Sequence, residues 1–288
     1  MKTKFLLLAF SLILGGSLLL SACASSASPT ATQAPASTAT KAAASPAAGT
    51  ATSPTTAAAS GFANPNLLVD TALLAQNLND PKMIVIDVRP AKDYQAGHIK
   101  GAVNIPVETT YDANRPEGRV EPKEKIEDIF GSEGVSNDKR VILYDAGKET
   151  KAPRVFWTLE YYGHKNVAVL DGGFKKWTAE KRDTTAEGPN ITPAKFTAKA
   201  EEGRYADKQL CLTSLGKPGV VFVDARSPKE YTGEDLRSKR GGHIPGAVNI
   251  DWTTLFTAGD VPVLKSQQEL QKIYVDAGVT KDKEVHAY

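Results

Sequence analysis

Cysteine and histidine are scarce in this 288-residue chain, and neither acid nor base predominates. Cys23 and Cys211 are the only thiols, too few for the disulfide framework of a small secreted scaffold. The histidines are His98, His164, His243 and His286, and no spacing among them resembles a metal site, so no metal is expected. Lys and Arg total 35 against 33 Asp and Glu. After residue 60 the balance is 32 to 33, which argues against a nucleic-acid or polybasic membrane partner. From Ala24 to Ser60 the chain has no aromatic and no branched aliphatic residue. All but Gln33 and Lys41 are Ala, Ser, Thr, Pro or Gly. Such a stretch cannot bury enough apolar surface to offset its ordering entropy, so residues 24–60 are expected to form a disordered tether. As a random coil it spans roughly 35 Å.

What the N-terminus does have is a signal pattern. Lys2 and Lys4 precede an apolar run from Phe5 to Leu20, and small residues then lead into Cys23. That order is secretory. Leu20-Ser21-Ala22-Cys23 resembles a bacterial lipobox, which implies cleavage before Cys23 and lipidation of its thiol. Residues 1–23 are thus expected to be a lipoprotein signal, with an extracytoplasmic protein anchored to a bilayer through Cys23. Cys211 then has no partner within the chain. Lying between Leu210 and Leu212, it reads as a small core residue of a helix.

The strongest feature is an internal repeat. Ile86-Asp87-Val88-Arg89-Pro90 recurs as Val223-Asp224-Ala225-Arg226-Ser227-Pro228, and Asp93-Tyr94 recurs as Glu230-Tyr231. Gly97-His98-Ile99-Lys100-Gly101-Ala102-Val103-Asn104-Ile105 returns as Gly242-His243-Ile244-Pro245-Gly246-Ala247-Val248-Asn249-Ile250. Further on, Gly134 to Lys139 answers Gly278 to Lys283. Two copies of one module are present.

Each copy alternates strand and helix signals. Met83 to Val88, Val141 to Tyr144, Val167 to Leu170 and Val220 to Val223 are short, nearly continuous apolar runs, as strands covered on both faces require. Val155, Leu159 and Tyr162 share a helical face that begins near Pro153. The fold expected is α/β: two tandem domains, each a mostly parallel sheet flanked by helices. Ligands of such sheets bind beyond the carboxyl ends of the strands, which points to the residues after Tyr144 and after Tyr288.

Asp-X-Arg, then Tyr, then Gly-His-Ile-X-Gly-Ala-Val-Asn-Ile resembles the rhodanese family. Tyr161-Tyr162-Gly163-His164 and Leu170-Asp171-Gly172-Gly173-Phe174-Lys175-Lys176-Trp177 fit it too. The resemblance implies rhodanese domains over 61–186 and 201–288. The tandem order is similar to the thiosulfate and 3-mercaptopyruvate sulfurtransferases, whose first module is silent and whose second carries a cysteine. It implies a sulfurtransferase that passes sulfane sulfur from a small anionic donor to a thiophilic acceptor through a cysteine persulfide, without a cofactor.

In the first copy the nucleophile's position holds Asp145, which would repel an anionic donor and is expected to cap a turn or the helix beyond. In the second it is the residue after Tyr288. The chain as written is therefore expected to lack its catalytic cysteine, to be inactive, and to carry a C-terminally truncated, loosely folded second domain. Asp224, Arg226, Glu230 and His243 are expected to hold the second module's loop, with Arg89 and Arg226 in ion pairs near Asp93 and Glu230. Arg237 and Arg240, beside Lys239, are candidates for binding the donor; the alternative is a solvated cluster. Glu230 stands where mercaptopyruvate-type members place an arginine, which favours thiosulfate. A non-catalytic pair that binds an anion or a protein is the alternative of a different class.

Overall fold

The computed structural model describes residues 61–112, 114 and 119–288. The first module opens with β1 (Leu68–Val69) and α1 (Thr71–Asn77), whose first turn is capped by the Asp70 carboxylate accepting from Leu73 N at 2.7 Å. Then follow β2 (Met83–Asp87), α2 (Ala91–Ala96), β3 (His98–Ile99) and β4 (Val103–Asn104). After α3 (Lys123–Ser132) come β5 (Arg140–Tyr144), α4 (Lys151–Tyr161), β6 (Val167–Leu170), α5 (Gly173–Ala179) and β7 (Thr184–Thr185). The main sheet has the order β1-β6-β5-β2-β4 and is parallel throughout.

Parallel strands need crossovers, and the crossovers place helices on both faces. The continuous apolar runs follow from this. Ile86, Val141 and Leu143 face one layer with Phe130, Val155 and Leu159, while Val85, Ile142 and Tyr144 face the other with Leu74 and Trp177. Residues beyond β7 stay with this module. Phe196 and Ala198 are buried in its first layer, Ala194 N donates to Gly131 O at 2.8 Å, and Lys199 N donates to Tyr162 O at 3.0 Å.

The second module repeats the plan with α6 (Lys208–Ser214), β8 (Val220–Asp224), α7 (Pro228–Thr232), β9 (Val248–Asn249), α8 (Gln267–Asp276) and β10 (Glu284–Ala287). Its sheet runs β10-β8-β9, again parallel. The α7 and α8 starts are capping boxes, Ser227 with Glu230 and Ser266 with Glu269. Its core is smaller: Val221, Val223, Ile250 and Val279 form the buried cluster.

Cys211 departs from the sequence reading. It lies on α6, but it is only half-buried, and Leu210 and Leu212 beside it are 41% and 52% exposed. The apolar residues around it face outward rather than into the core.

Candidate active-site loops at the sheet ends

The two Asp-X-Arg segments close the ends of β2 and β8 in the same way. Asp87 is fully buried, and both its oxygens are taken by Arg89: Nη2 lies 2.6 Å from Oδ2 and Nε 3.0 Å from Oδ1. Arg89 Nη2 also donates to Gly97 O at 2.8 Å. In the second module Arg226 Nη2 donates to Asp224 Oδ2 at 2.5 Å and to Gly242 O at 2.9 Å. The arginines therefore pair with the strand-end aspartates two residues before them, not with Asp93 and Glu230. A spacing of two lets the side chain fold back over its own turn, which the pattern alone did not reveal.

Charge follows the geometry. Burial would lower the Arg89 guanidinium, but the hydrogen bonds and charge of Asp87 outweigh it and raise it further. Burial would raise the Asp224 carboxyl, but the Arg226 hydrogen bonds and charge hold it below the ordinary range.

The histidines brace the same loops. His98 stacks on Tyr94 with ring centroids 3.7 Å apart, and its Nδ1 lies 2.9 Å from Tyr94 O. His243 does likewise with Tyr231, at 3.7 Å and 2.8 Å. A ring nitrogen facing a carbonyl donates a proton to it, which gives His243 a proton on Nδ1; His98 faces carbonyls with both nitrogens, its Nε2 lying 3.2 Å from Glu187 O. Two further pairs were missed in the sequence although they recur there. Tyr94 and Tyr231 donate their hydroxyls to Ala102 O and Ala247 O, at 2.7 and 2.9 Å. Asn104 and Asn249 each donate Nδ2 to two carbonyls, those of Asp87 and Arg89 and of Asp224 and Arg226. Their return at matching positions was the available signal.

Beyond Tyr144 the first module turns sharply. Asp145 Oδ1 accepts from Gly147 N at 2.9 Å and Oδ2 from Ala152 N at 3.0 Å, so the carboxylate spans the loop and caps α4. Burial pushes its pKa up. Gly172 and Gly173 let the next loop pack against it: a Cβ at Gly173, with φ at +55°, would meet Asp145 O at 2.7 Å and Gly147 N at 2.8 Å. At the matching place in the second module, Tyr288 Oη accepts from Ile244 N at 2.9 Å, as Tyr144 Oη accepts from Ile99 N at 3.1 Å.

Glu230 is occupied by the capping box, its Oε2 accepting from Ser227 Oγ at 2.8 Å. Arg237 is 70% exposed and lies 2.9 Å from Asp235, with Glu230 at 3.7 Å. Arg240 is exposed and makes no side-chain ion pair among the described residues. Both stand on the stretch that leads to Gly242, whose carbonyl holds Arg226. Cys23 lies outside the described residues. Among those residues no group of three His, Cys, Asp or Glu could hold a metal ion, and no helix is long and apolar enough to cross a membrane.

Known proteins are similar to this chain in sequence and in fold. The thiosulfate sulfurtransferase of Azotobacter vinelandii is 32% identical over 78% of this chain and 82% of its own. The sulfur carrier protein TtuD of Thermus thermophilus is 33% identical over 79% and 84%. In the crystal structure of SseA from Escherichia coli, described as a 3-mercaptopyruvate sulfotransferase, the fold superposes with a TM-score of 0.69. That match is at 29% identity and covers 76% of this chain and 87% of that one. The rhodanese-like domain itself matches twice, at residues 70–180 and 208–288. The chain belongs to the rhodanese-like family.

Proposed function

We propose that this protein is a thiosulfate sulfurtransferase working through a cysteine at the position that follows Tyr288. The observation that carries the reading is the matched register of the two modules. β10 pairs with β8 as β5 pairs with β2, and Tyr288 bonds Ile244 as Tyr144 bonds Ile99. A residue following Tyr288 would stand at the carboxyl end of a parallel sheet, where a loop of inward amide dipoles would lower a thiol pKa.

The chemistry is two displacements at sulfur. The thiolate attacks the sulfane sulfur of thiosulfate, the donor's S–S bond breaks, and sulfite leaves with the electron pair. The resulting persulfide gives its outer sulfur to cyanide or another thiophilic acceptor, and the thiolate returns. Electrons balance without a cofactor. Arg237 and Arg240 would draw the anionic donor, whereas Asp145 keeps anions from the first module. Mercaptopyruvate has less support as donor, because Glu230 and its capping box occupy the place of the arginine that would hold a carboxylate.

Cys23 is proposed to carry lipid and to hold the protein at the outer side of a bilayer. A Cys23→Ala chain is expected to leave the membrane fraction or stay unprocessed, and the same fraction at the same mature mass would count against it.

The test of the activity is direct. A chain ending at Tyr288 should form no thiocyanate from thiosulfate and cyanide above background, and a chain with cysteine next should form it. Turnover by the shorter chain that vanishes on Cys211→Ser would place the nucleophile on α6 and overturn the proposal.

A further inference from the structure

The first module has no nucleophile at its strand ends, yet a cleft opens there. The ends of β5 and β6, the start of α4, the segment leading into β1 and the bridged loop of the second module enclose about 570 Å³. That volume suits a small molecule, and seams between packed units are common places for such sites. Phe62 comes from the segment ahead of β1, Phe156 from α4 and Phe256 from the second module, so rings from three separate stretches of chain meet at one cleft. All three are half-buried, as is Leu264. The wall from the second module is tied to the first, because Leu264 N donates to Asp171 Oδ1 at 2.9 Å.

The surface of the cleft is almost wholly apolar, and its acids are already compensated. Asp145 accepts from Gly147 N at 2.9 Å and from Ala152 N at 3.0 Å, and Lys151 acts on it as a counter-charge. Asp171 holds Leu264 N and has Lys176 as its counter-charge. Glu149 pairs with Lys151 at 2.9 Å, and Asn64 accepts from Asn66 N at 3.2 Å. Lys148 is exposed to water.

We propose that this cleft binds a neutral, apolar molecule built on aromatic rings, seated among Phe62, Phe156 and Phe256. An ion of either sign would give up hydration on entering, and an apolar surface offers little in return. The acids of the lining need no cation, and Lys148 keeps its own water. A neutral ring system loses no hydration of charge, buries apolar area on both partners and can pack edge or face against the phenyl rings. The site is separate from the proposed sulfur transfer, since neither Tyr288 nor Arg226 lines the cleft.

The test is fluorescence titration of the full chain with N-phenyl-1-naphthylamine, which is neutral. Its comparator is 1-anilinonaphthalene-8-sulfonate, which carries an anionic group on the same ring system. The neutral probe should saturate one site at least about tenfold more tightly than the sulfonate. Its affinity should change by less than about twofold between low and high salt, because no ion pair is made. Ala63→Trp fills the cleft from an exposed position and should weaken the probe at least about tenfold. Phe62→Ser removes one ring from the same segment and should weaken it about three- to tenfold. Leu236→Ser, which removes an exposed apolar side chain outside the cleft, should leave the affinity unchanged. Absence of saturable binding, equal or tighter binding of the sulfonate, or an affinity that both Ala63→Trp and Phe62→Ser leave unchanged would overturn the proposal. Binding seen only after residues 1–60 are removed would also overturn it, because the chain's own N-terminal segment would then be the occupant.

Discussion

Arg89 reaches back to Asp87 and across to the carbonyl of Gly97, 2.8 Å away, so a single guanidinium joins the end of a strand to the turn of the next loop. Arg226 does the same with Asp224 and Gly242. The difference is exposure: the Arg89 side chain is 7% exposed and that of Arg226 is 34% exposed.

Removing the buried arginine leaves a buried carboxylate with no counter-charge. Arg89→Met is expected to cost about 3–5 kcal/mol of stability in urea unfolding. Arg226→Met should cost less, about 1–2 kcal/mol, because water can reach the vacated place. Equal costs at the two sites would show that exposure does not decide the strength of this latch.

The Asp224 carboxyl is held below its ordinary range, so it is ionised more readily in the folded chain than in the unfolded one. Its stabilising contribution is complete above the unfolded value of about 4 and is lost as the pH falls through the lower folded value. Asp224→Asn removes that term. The variant should be less stable at neutral pH and should show a flatter loss of stability below about pH 4, read as the urea midpoint at successive pH values. Parallel acid limbs in the two proteins would sink the assignment.

The modules differ in the depth of their cores. The first buries apolar side chains on both faces of five strands, whereas the second relies on Val221, Val223, Ile250 and Val279 and leaves Val275 and Val285 49% and 46% exposed. Each side chain left uncovered forgoes about 1.5–3 kcal/mol of burial. Limited proteolysis of the full chain should therefore leave a protected first-module fragment that includes Phe196, while residues from about 206 onward are cut. Equal survival of both modules would refute the difference.

The repeat was legible because two copies of one motif had to meet the same backbone demands. The α/β class, the strands at 83–88, 141–144 and 220–223, and the two loops could be read from the residues alone. Continuous apolar runs have few other stable solutions than buried parallel strands. Asp145 as a cap was also within reach, since a short carboxylate after a strand and before a helix has orphan amides beside it.

Partners across space were not legible. The pairing of Arg89 with Asp87 depends on how a side chain folds over a turn, and Leu264 meets Asp171 only because two modules pack 93 residues apart in sequence. Nor did the sequence show that Leu210 and Leu212 face outward around Cys211. Apolar type and helical spacing define a face, but which neighbour covers that face is decided by packing. The residues by themselves determined the modules, their strands and the ends where chemistry belongs. Only the tertiary structure decided which charges compensate one another and which cleft is left open, because both depend on distances that the spacing of residues along the chain does not contain.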